Sequence, residues 1–206
     1  MSAKKKITTR QINALKTKNA LTESAKSLFA EKGYDSVTIE EITSRAGTSK
    51  GSFYTYYKSK SHIILEIYRK ADKRYEKIYN RLPNNLSATN KLRTFIREVF
   101  KYSERNTRVE FEKVVYQSQL NYEEEKELIT GKNRPYFTII EDIINEGQKN
   151  GEFRTDFSSS VLAAMVASTM RGTFYDWCLN DGIFALAERG TACLSILIDG
   201  IRNQEI

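Results

Sequence analysis

The sequence contains few of the residues on which metal sites and catalytic centres depend. Its 206 residues include one histidine, His62, and two cysteines, Cys178 and Cys193. One histidine cannot form a histidine-rich zinc site, and the two cysteines lack the short spacing of a thiolate metal site. The chain also lacks a GxxxxGK[ST] phosphate loop and a GxSxG nucleophile elbow. We therefore expect no enzyme activity, no catalytic residues, no metal and no cofactor, and we interpret the cysteines as small core thiols.

Prolines and long apolar runs are also scarce. Pro83 and Pro135 are the only prolines in the chain. Long segments without proline favour an all-α fold. No stretch approaches the roughly 18 apolar residues that a membrane-spanning helix needs. The basic, polar start also lacks the apolar core of a secretory signal, so we expect a cytoplasmic protein with no membrane segment.

The net charge of +7 is concentrated in the first part of the chain. Residues 1–80 hold 17 Lys and Arg against 8 Asp and Glu, which gives a net charge of +9. Residues 81–206 hold 16 against 18, which gives a net charge of −2. A basic half joined to a nearly neutral half is typical of a DNA-binding domain with a partner domain. A basic tail kept for solubility is the alternative.

Residues 37–60, VTIEEITSRAGTSKGSFYTYYKSK, predict two short helices joined by a tight turn. Thr38 and Glu41 have the spacing of a capping box, which would start the first helix. Gly47 can adopt the left-handed conformation that a turn after Ala46 requires. This is the helix-turn-helix arrangement, whose second helix enters the major groove of DNA. A solvated helix pair in another kind of all-α protein is the alternative.

The residue types around the second helix suit DNA binding. Hydroxyl and ammonium groups can donate to phosphates and base edges, and a glycine lets the backbone approach the duplex closely. We predict phosphate contacts from Ser49, Lys50, Tyr54, Tyr56, Lys58 and Lys60, base contacts from Thr48, Ser52 and Thr55, a close approach at Gly51, and further contacts from Lys18 and Thr38.

The segment AGTSKGSFYTYYKSK resembles the DNA-binding signature of the TetR (tetracycline-repressor-like) family of transcriptional regulators. The resemblance extends upstream through ALTESAKSLFAEKGYDSVTIEEI and covers about residues 17–77. It implies an all-α fold with an N-terminal three-helix helix-turn-helix DNA-binding domain and a C-terminal helical ligand-binding and dimerisation domain. It also implies a homodimer that binds double-stranded DNA at a palindromic operator.

These observations divide the chain into four parts. We expect a flexible basic arm over 1–12, the helix-turn-helix domain over 13–58, a connecting helix over 59–82, and the ligand-binding and dimerisation domain over 83–206. Within the last part, the apolar spacing predicts several helices, including one over 123–129.

The last two predicted helices are apolar on more than one face. Residues 163–170, AAMVASTM, contain almost no polar break. A helix that is apolar nearly all round is buried on all sides, and a second copy of the chain would supply that cover. We therefore predict a two-fold dimer through a four-helix bundle. A core helix of a monomer is the alternative.

The C-terminal part is rich in aromatic and flexible apolar residues. The resemblance implies a small-molecule pocket there, and a mostly apolar lining would suit it. The candidate lining residues are Phe95, Phe111, Tyr116, Tyr136, Phe137, Met165, Met170, Tyr175 and Trp177. Side chains of this kind also form ordinary cores, which is the alternative for each of them.

Together these features predict a ligand-responsive transcriptional regulator, a repressor that an unknown small-molecule effector releases from its operator. A transcriptional activator and a ligand-free DNA-binding protein are open alternatives, because the sequence does not set the position of the operator. An all-α module that binds a hydrophobic ligand is a further alternative, and the charge distribution argues against it.

Overall fold

The computed structural model describes residues 8–121 and 133–203, with side chains for 8–117 and 133–203. Within these ranges the chain is helical, and its only β feature is an isolated bridge between Phe153 and Arg202. The all-α prediction is confirmed. The predicted helix over 123–129 lies outside the described residues. In chain order the helices are α1 (Thr9–Lys32), α2 (Ile39–Arg45), α3 (Lys50–Tyr56), α4 (Lys60–Tyr79), α5 (Ala88–Asn106), α6 (Val109–Asn121), α7 (Pro135–Lys149), α8 (Ser159–Leu179) and α9 (Leu186–Ile201).

The helices form two compact units, Met1–Ile67 and Tyr68–Ile206. The boundary between the units falls inside α4, so one continuous helix belongs to both. None of the helices in the described ranges is long and apolar enough to cross a membrane.

Helix α1 begins earlier than the sequence pattern indicated. The hydroxyl of Thr8 accepts from the Gln11 amide, and the Gln11 side chain accepts from the Thr8 amide. These reciprocal bonds form a capping box, which satisfies N–H groups that have no partner within the helix. Residues 9–12 are therefore helical and not part of a flexible arm. The rest of the predicted arm, residues 1–7, lies outside the described residues.

The first unit has a small apolar core of its own. Leu21 and Phe29 of α1, Ile42 of α2 and Phe53 of α3 are fully buried. Gly47 follows α2 with a φ of +63°, a conformation that costs glycine less than other residues. Helices α2 and α3 are too short to be stable alone, so burial of Ile42 and Phe53 in this core is what holds them.

The second unit is built around a larger core of α5, α7, α8 and α9. Phe95, Phe100, Ile140 and Phe153 are among its fully buried side chains. Helix α9 approaches α5 closely at Gly190, where an added Cβ would lie 2.6 Å from the Phe100 ring. A glycine at this position therefore sets the distance between the two helices.

Replacing Gly190 by alanine should destabilise the protein, because the added methyl group has no room beside Phe100. We expect a loss of roughly 1–3 kcal/mol, as for other overpacked cores, measured by urea unfolding. Gly200→Ala is the matched control on α9, since nothing lies within 4 Å of the added Cβ. Equal unfolding midpoints for the two variants would contradict this account of the α5–α9 contact.

Candidate nucleic-acid interface

Helix α3 is held in place by its N-cap and by one apolar side chain. The Ser49 hydroxyl accepts from the Ser52 amide at 3.1 Å and starts the helix. Phe53 is completely buried in the first unit. Because α3 has seven residues, burying one side of it leaves the other side turned to solvent.

The exposed side of α3 gathers most of the side chains that we predicted to contact DNA. Tyr54 is 52% exposed, and the half-buried members contribute polar groups at the edge of the same surface. The exposed members are Ser49, Lys50, Gly51, Tyr54, Thr55 and Lys58, and the half-buried ones are Thr48, Ser52 and Tyr56. The structure therefore brings these nine residues together at the turn and along α3.

Lys50 is the exposed cation at the start of α3. Its ammonium group contacts the carboxylate of Glu40 on α2. This hydrogen bond lowers the pKa of Glu40 and raises the pKa of Lys50. Both side chains are more than half exposed, and an ion pair in solvent is easily exchanged for another partner. Lys50 is thus held near the surface in a position from which it can turn to a phosphate.

Lys60, a predicted phosphate contact, has a different role in the structure. Its ammonium group donates to the carbonyl oxygens of Val37 at 2.7 Å, Tyr34 at 2.9 Å and Asp35 at 3.4 Å. It also lies 4.7 Å from the centre of the Tyr34 ring. An ammonium has three donors, and all three are used. Lys60 therefore fastens the start of α4 to the loop before α2 and does not point to solvent.

Lys18 and Thr38 are also engaged within the first unit. The Lys18 ammonium lies 2.8 Å from the Glu66 carboxylate, which joins α1 to α4. The Thr38 hydroxyl accepts from the Glu41 amide at 3.1 Å, and the Glu41 carboxylate accepts from the Thr38 amide at 2.8 Å. The expected capping box is present. Lys18 and Thr38, which we predicted to contact DNA, therefore have structural partners within the first unit.

Tyr57 is a positioning residue that the sequence reasoning missed. Only 3% of it is exposed, and its hydroxyl lies 2.8 Å from the Thr22 hydroxyl on α1. Burial raises the pKa of Tyr57, so the hydroxyl stays protonated as a donor. Helix periodicity gave no signal for it, because Tyr57 follows the last residue of α3 with an extended backbone and its partner lies 35 positions away in the sequence.

The second unit places the predicted pocket residues in two environments. Seven of them are buried or half-buried in the core or against it: Phe95, Phe111, Tyr116, Tyr136, Phe137, Met170 and Trp177. Met165 and Tyr175 instead lie at the surface of the chain, 41% and 47% exposed. They share one face of α8 with the exposed residues Val161 and Leu179, because intervals of three and four residues return to the same side of a helix.

An open polar groove of about 1000 Å³ lies elsewhere on this unit. Both charged and uncharged polar groups line it, and none of the predicted pocket residues is among them. The lining residues are Ser87, Thr89, Asn90, Arg93, Gly151, Glu152, Asp199, Arg202 and Asn203. The groove therefore differs from the apolar pocket that the sequence predicted.

Two protein-family models match the chain, one in each compact unit. The model of bacterial regulatory proteins of the tetR family matches residues 21–67. The model of the C-terminal region of YsiA-like protein matches residues 68–200, which is more than half of the chain.

Similar proteins match over nearly the whole length. The fatty acid metabolism regulator protein of Bacillus subtilis (strain 168) is 25% identical over 186 residues, 88% of this chain and 94% of that protein. The HTH-type transcriptional repressor KstR2 of Mycolicibacterium smegmatis is 24% identical over 193 residues, 91% of this chain and 92% of that protein. The crystal structure of the transcriptional regulator FadR from Bacillus subtilis in complex with stearoyl-CoA has a TM-score of 0.75 and 23% identity. The match covers 89% of this chain and 98% of the FadR chain, and it shows that the two share a fold.

The contacts of Lys60 predict a specific loss of stability. Lys60→Met keeps the length of the side chain but removes the donor to three carbonyl groups. We expect it to cost roughly 1–3 kcal/mol, the range for leaving buried polar groups unsatisfied, in urea unfolding followed by circular dichroism. Lys58→Met, at an exposed position two residues away, is the control and should leave the unfolding midpoint unchanged. A Lys60→Met midpoint equal to that of the wild type would rule out the fastening role.

Proposed function

The chain belongs to the tetR family of bacterial regulatory proteins, and from that premise we propose a ligand-responsive transcriptional repressor that binds a palindromic operator as a homodimer. We assign DNA binding to residues 13–58, the connection to residues 59–82, and effector binding and dimerisation to residues 83–206. A protein that regulates bacterial genes acts where the DNA is, so we place it in the cytoplasm.

The observation that carries this proposal is the exposed side of α3. Lys50, Tyr54 and Thr55 present an ammonium and two hydroxyl groups on one short helix whose other side is buried. In our proposal Lys50 and Tyr54 contact phosphates, which set affinity and its salt dependence. Thr55 and Ser52 then reach base edges, which set specificity.

The dimer proposal is supported by apolar residues that the single chain leaves uncovered. Val161, Met165 and Leu179 on α8 are 42%, 41% and 62% exposed, and Ile196 on α9 is 77% exposed. A second copy that packs its own α8 and α9 against this face would complete a four-helix bundle. A two-fold dimer reads half-sites about 34–36 Å apart, or a multiple of that distance.

The relatives support an acyl-CoA or a related amphipathic compound as the effector. The name of the Bacillus subtilis relative refers to fatty acid metabolism, and the FadR structure contains stearoyl-CoA. In our proposal such a compound binds more tightly to a conformation in which the two recognition helices no longer fit the operator. Differential affinity of this kind is the only way in which a ligand can shift the equilibrium.

Capture of genomic fragments by the purified protein, followed by sequencing, tests this function first. We expect a few palindromic sites upstream of genes, and release of those sites when acyl-CoA is added. Diffuse recovery without a shared motif would remove the repressor proposal in favour of non-specific binding.

Lys50 provides a quantitative test of the interface. Lys50→Gln should weaken binding to a captured operator and reduce the slope of log affinity against log salt concentration by about 0.9, the value for one lost phosphate contact. Lys149→Gln removes the same charge at an exposed position of α7 and should change neither quantity. Wild-type affinity and slope in Lys50→Gln would show that this residue does not contact a phosphate.

A further inference from the structure

A buried ion pair joins α4 to the start of α7 within the second unit. The Arg134 guanidinium donates to both carboxylate oxygens of Asp72, from Nε at 3.1 Å and from Nη2 at 2.8 Å. The two side chains are 11% and 8% exposed. Burying a charge pair loses most of its hydration energy, and apolar residues often replace such pairs without loss of stability. Stability alone therefore gives a weak reason for charges at this position.

Arg134 has donors that Asp72 does not use. A guanidinium carries five N–H groups, and Asp72 takes up two of them. No other acceptor within the described part of the chain binds the remaining three. The guanidinium carbon lies 4.5 Å from the centre of the Tyr136 ring and 5.1 Å from that of Tyr68. The two aromatic rings flank the planar group, and 11% of the Arg134 side chain is exposed.

A second guanidinium, that of Arg171, contacts the hydroxyl end of Tyr136. Arg171 on α8 donates from Nη1 to the Tyr136 hydroxyl at 3.2 Å and from Nη2 to the Ser168 hydroxyl at 2.9 Å. Both partners are uncharged, and no described carboxylate forms an ion pair with Arg171. Tyr136 thus has one guanidinium at its ring and another at its hydroxyl, and of these two cations only Arg134 is paired with a carboxylate.

Two neighbouring tyrosines stay uncharged and add no negative charge to this cluster. Burial, and after it the charge of Glu112, raises the pKa of both Tyr68 and Tyr116. Both hydroxyls therefore remain protonated at neutral pH. Besides Asp72, Glu112 is a carboxylate close enough for its charge to raise the pKa of these tyrosines. It has a contact of its own, and it forms no ion pair with Arg134 or Arg171.

We propose that Arg134, Tyr136 and Arg171 form an anion-binding subsite for the carboxylate or phosphate of an amphipathic effector, and that Arg134 leaves Asp72 to bind it. Guanidinium groups bind carboxylates and phosphates through paired, charge-assisted hydrogen bonds. This subsite rests on the proposed function, because it is the part of the effector domain that recognises the charged end of the ligand.

Movement of Arg134 from Asp72 to the effector would couple the subsite to α4. Asp72 lies on α4, and the same helix begins at Lys60, whose ammonium binds the carbonyl groups of the loop before α2. When the effector takes Arg134, Asp72 loses the bond that ties α4 to α7. The effector and the Asp72 carboxylate therefore compete for one guanidinium, which links ligand binding to the position of α4.

Competition predicts opposite effects for two substitutions. We would measure binding of laurate, lauroyl-CoA and the neutral alcohol of the same chain length to the full-length protein by isothermal titration calorimetry. Arg171→Gln should weaken binding of the anion roughly ten- to hundredfold, as expected for a lost charge-assisted hydrogen bond. Asp72→Asn should strengthen it, because the competing charge is gone. Neither variant should change binding of the alcohol.

Two further variants test the role of Arg134. Arg134→Gln alone leaves a buried unpaired carboxylate and can fail to fold, so the double variant Asp72→Asn with Arg134→Gln is used. It should lose the gain that Asp72→Asn provides. Arg81→Gln, at an exposed position after α4, is the matched control and should bind as the wild type. Preference for laurate identifies a carboxylate ligand, and preference for lauroyl-CoA identifies the CoA phosphates.

The outcome is separable from the proposed function. Gel shifts without ligand, on the captured operator, test DNA binding for every variant. Operator binding together with unchanged anion affinity in Asp72→Asn and Arg171→Gln would overturn the subsite and leave the regulator intact. Absence of anion binding to both the wild type and Asp72→Asn would also overturn it. Loss of operator binding by the wild type would instead remove the proposed function.

Discussion

Burial of Phe53 and Tyr57 in the core of the first unit is the interaction on which the candidate DNA-binding surface depends. Helix α3 has seven residues, too few for a helix to persist in water without tertiary contacts. Phe53 supplies the apolar contact, and the Tyr57 hydroxyl adds a hydrogen bond to Thr22 at 2.8 Å. These two side chains decide which side of α3 is turned outward. The donors from Lys50 to Thr55 can act together only because the opposite side is fixed.

Charged side chains fasten α4 in both units by different means. In the first unit, the Lys60 ammonium uses all three donors on backbone carbonyls of the 34–37 loop. In the second unit, Asp72 receives two donors from Arg134. The Arg134–Asp72 pair is largely withdrawn from water, where a charge without its partner is costly, whereas Lys60 is half-buried.

Much of the fold and part of the site followed from local sequence signals. The Thr38–Glu41 capping box, the turn at Gly47 and the Ser49 cap are set by residues within three or four positions of one another, and the structure contains all of them. The prediction was incomplete where distant residues meet. Lys60 reaches a loop 23 residues or more earlier in the chain, and Arg134 pairs with Asp72 across 62 residues. No periodicity in the sequence marks either pair.

The sequence by itself determined that this chain is all-α, that it carries a helix-turn-helix segment, and that its basic charge lies in the same part. Helix caps, glycine turns and charge counts are local properties, so they can be read from neighbouring residues. Only the tertiary structure decided which of those cations are available to a partner. Lys50 lies at the surface. Lys60 has the same charge and a similar sequence context, but its three donors are bound to backbone carbonyl groups of the same unit. Availability depends on which acceptors folding brings within hydrogen-bonding distance, and residue type does not specify that.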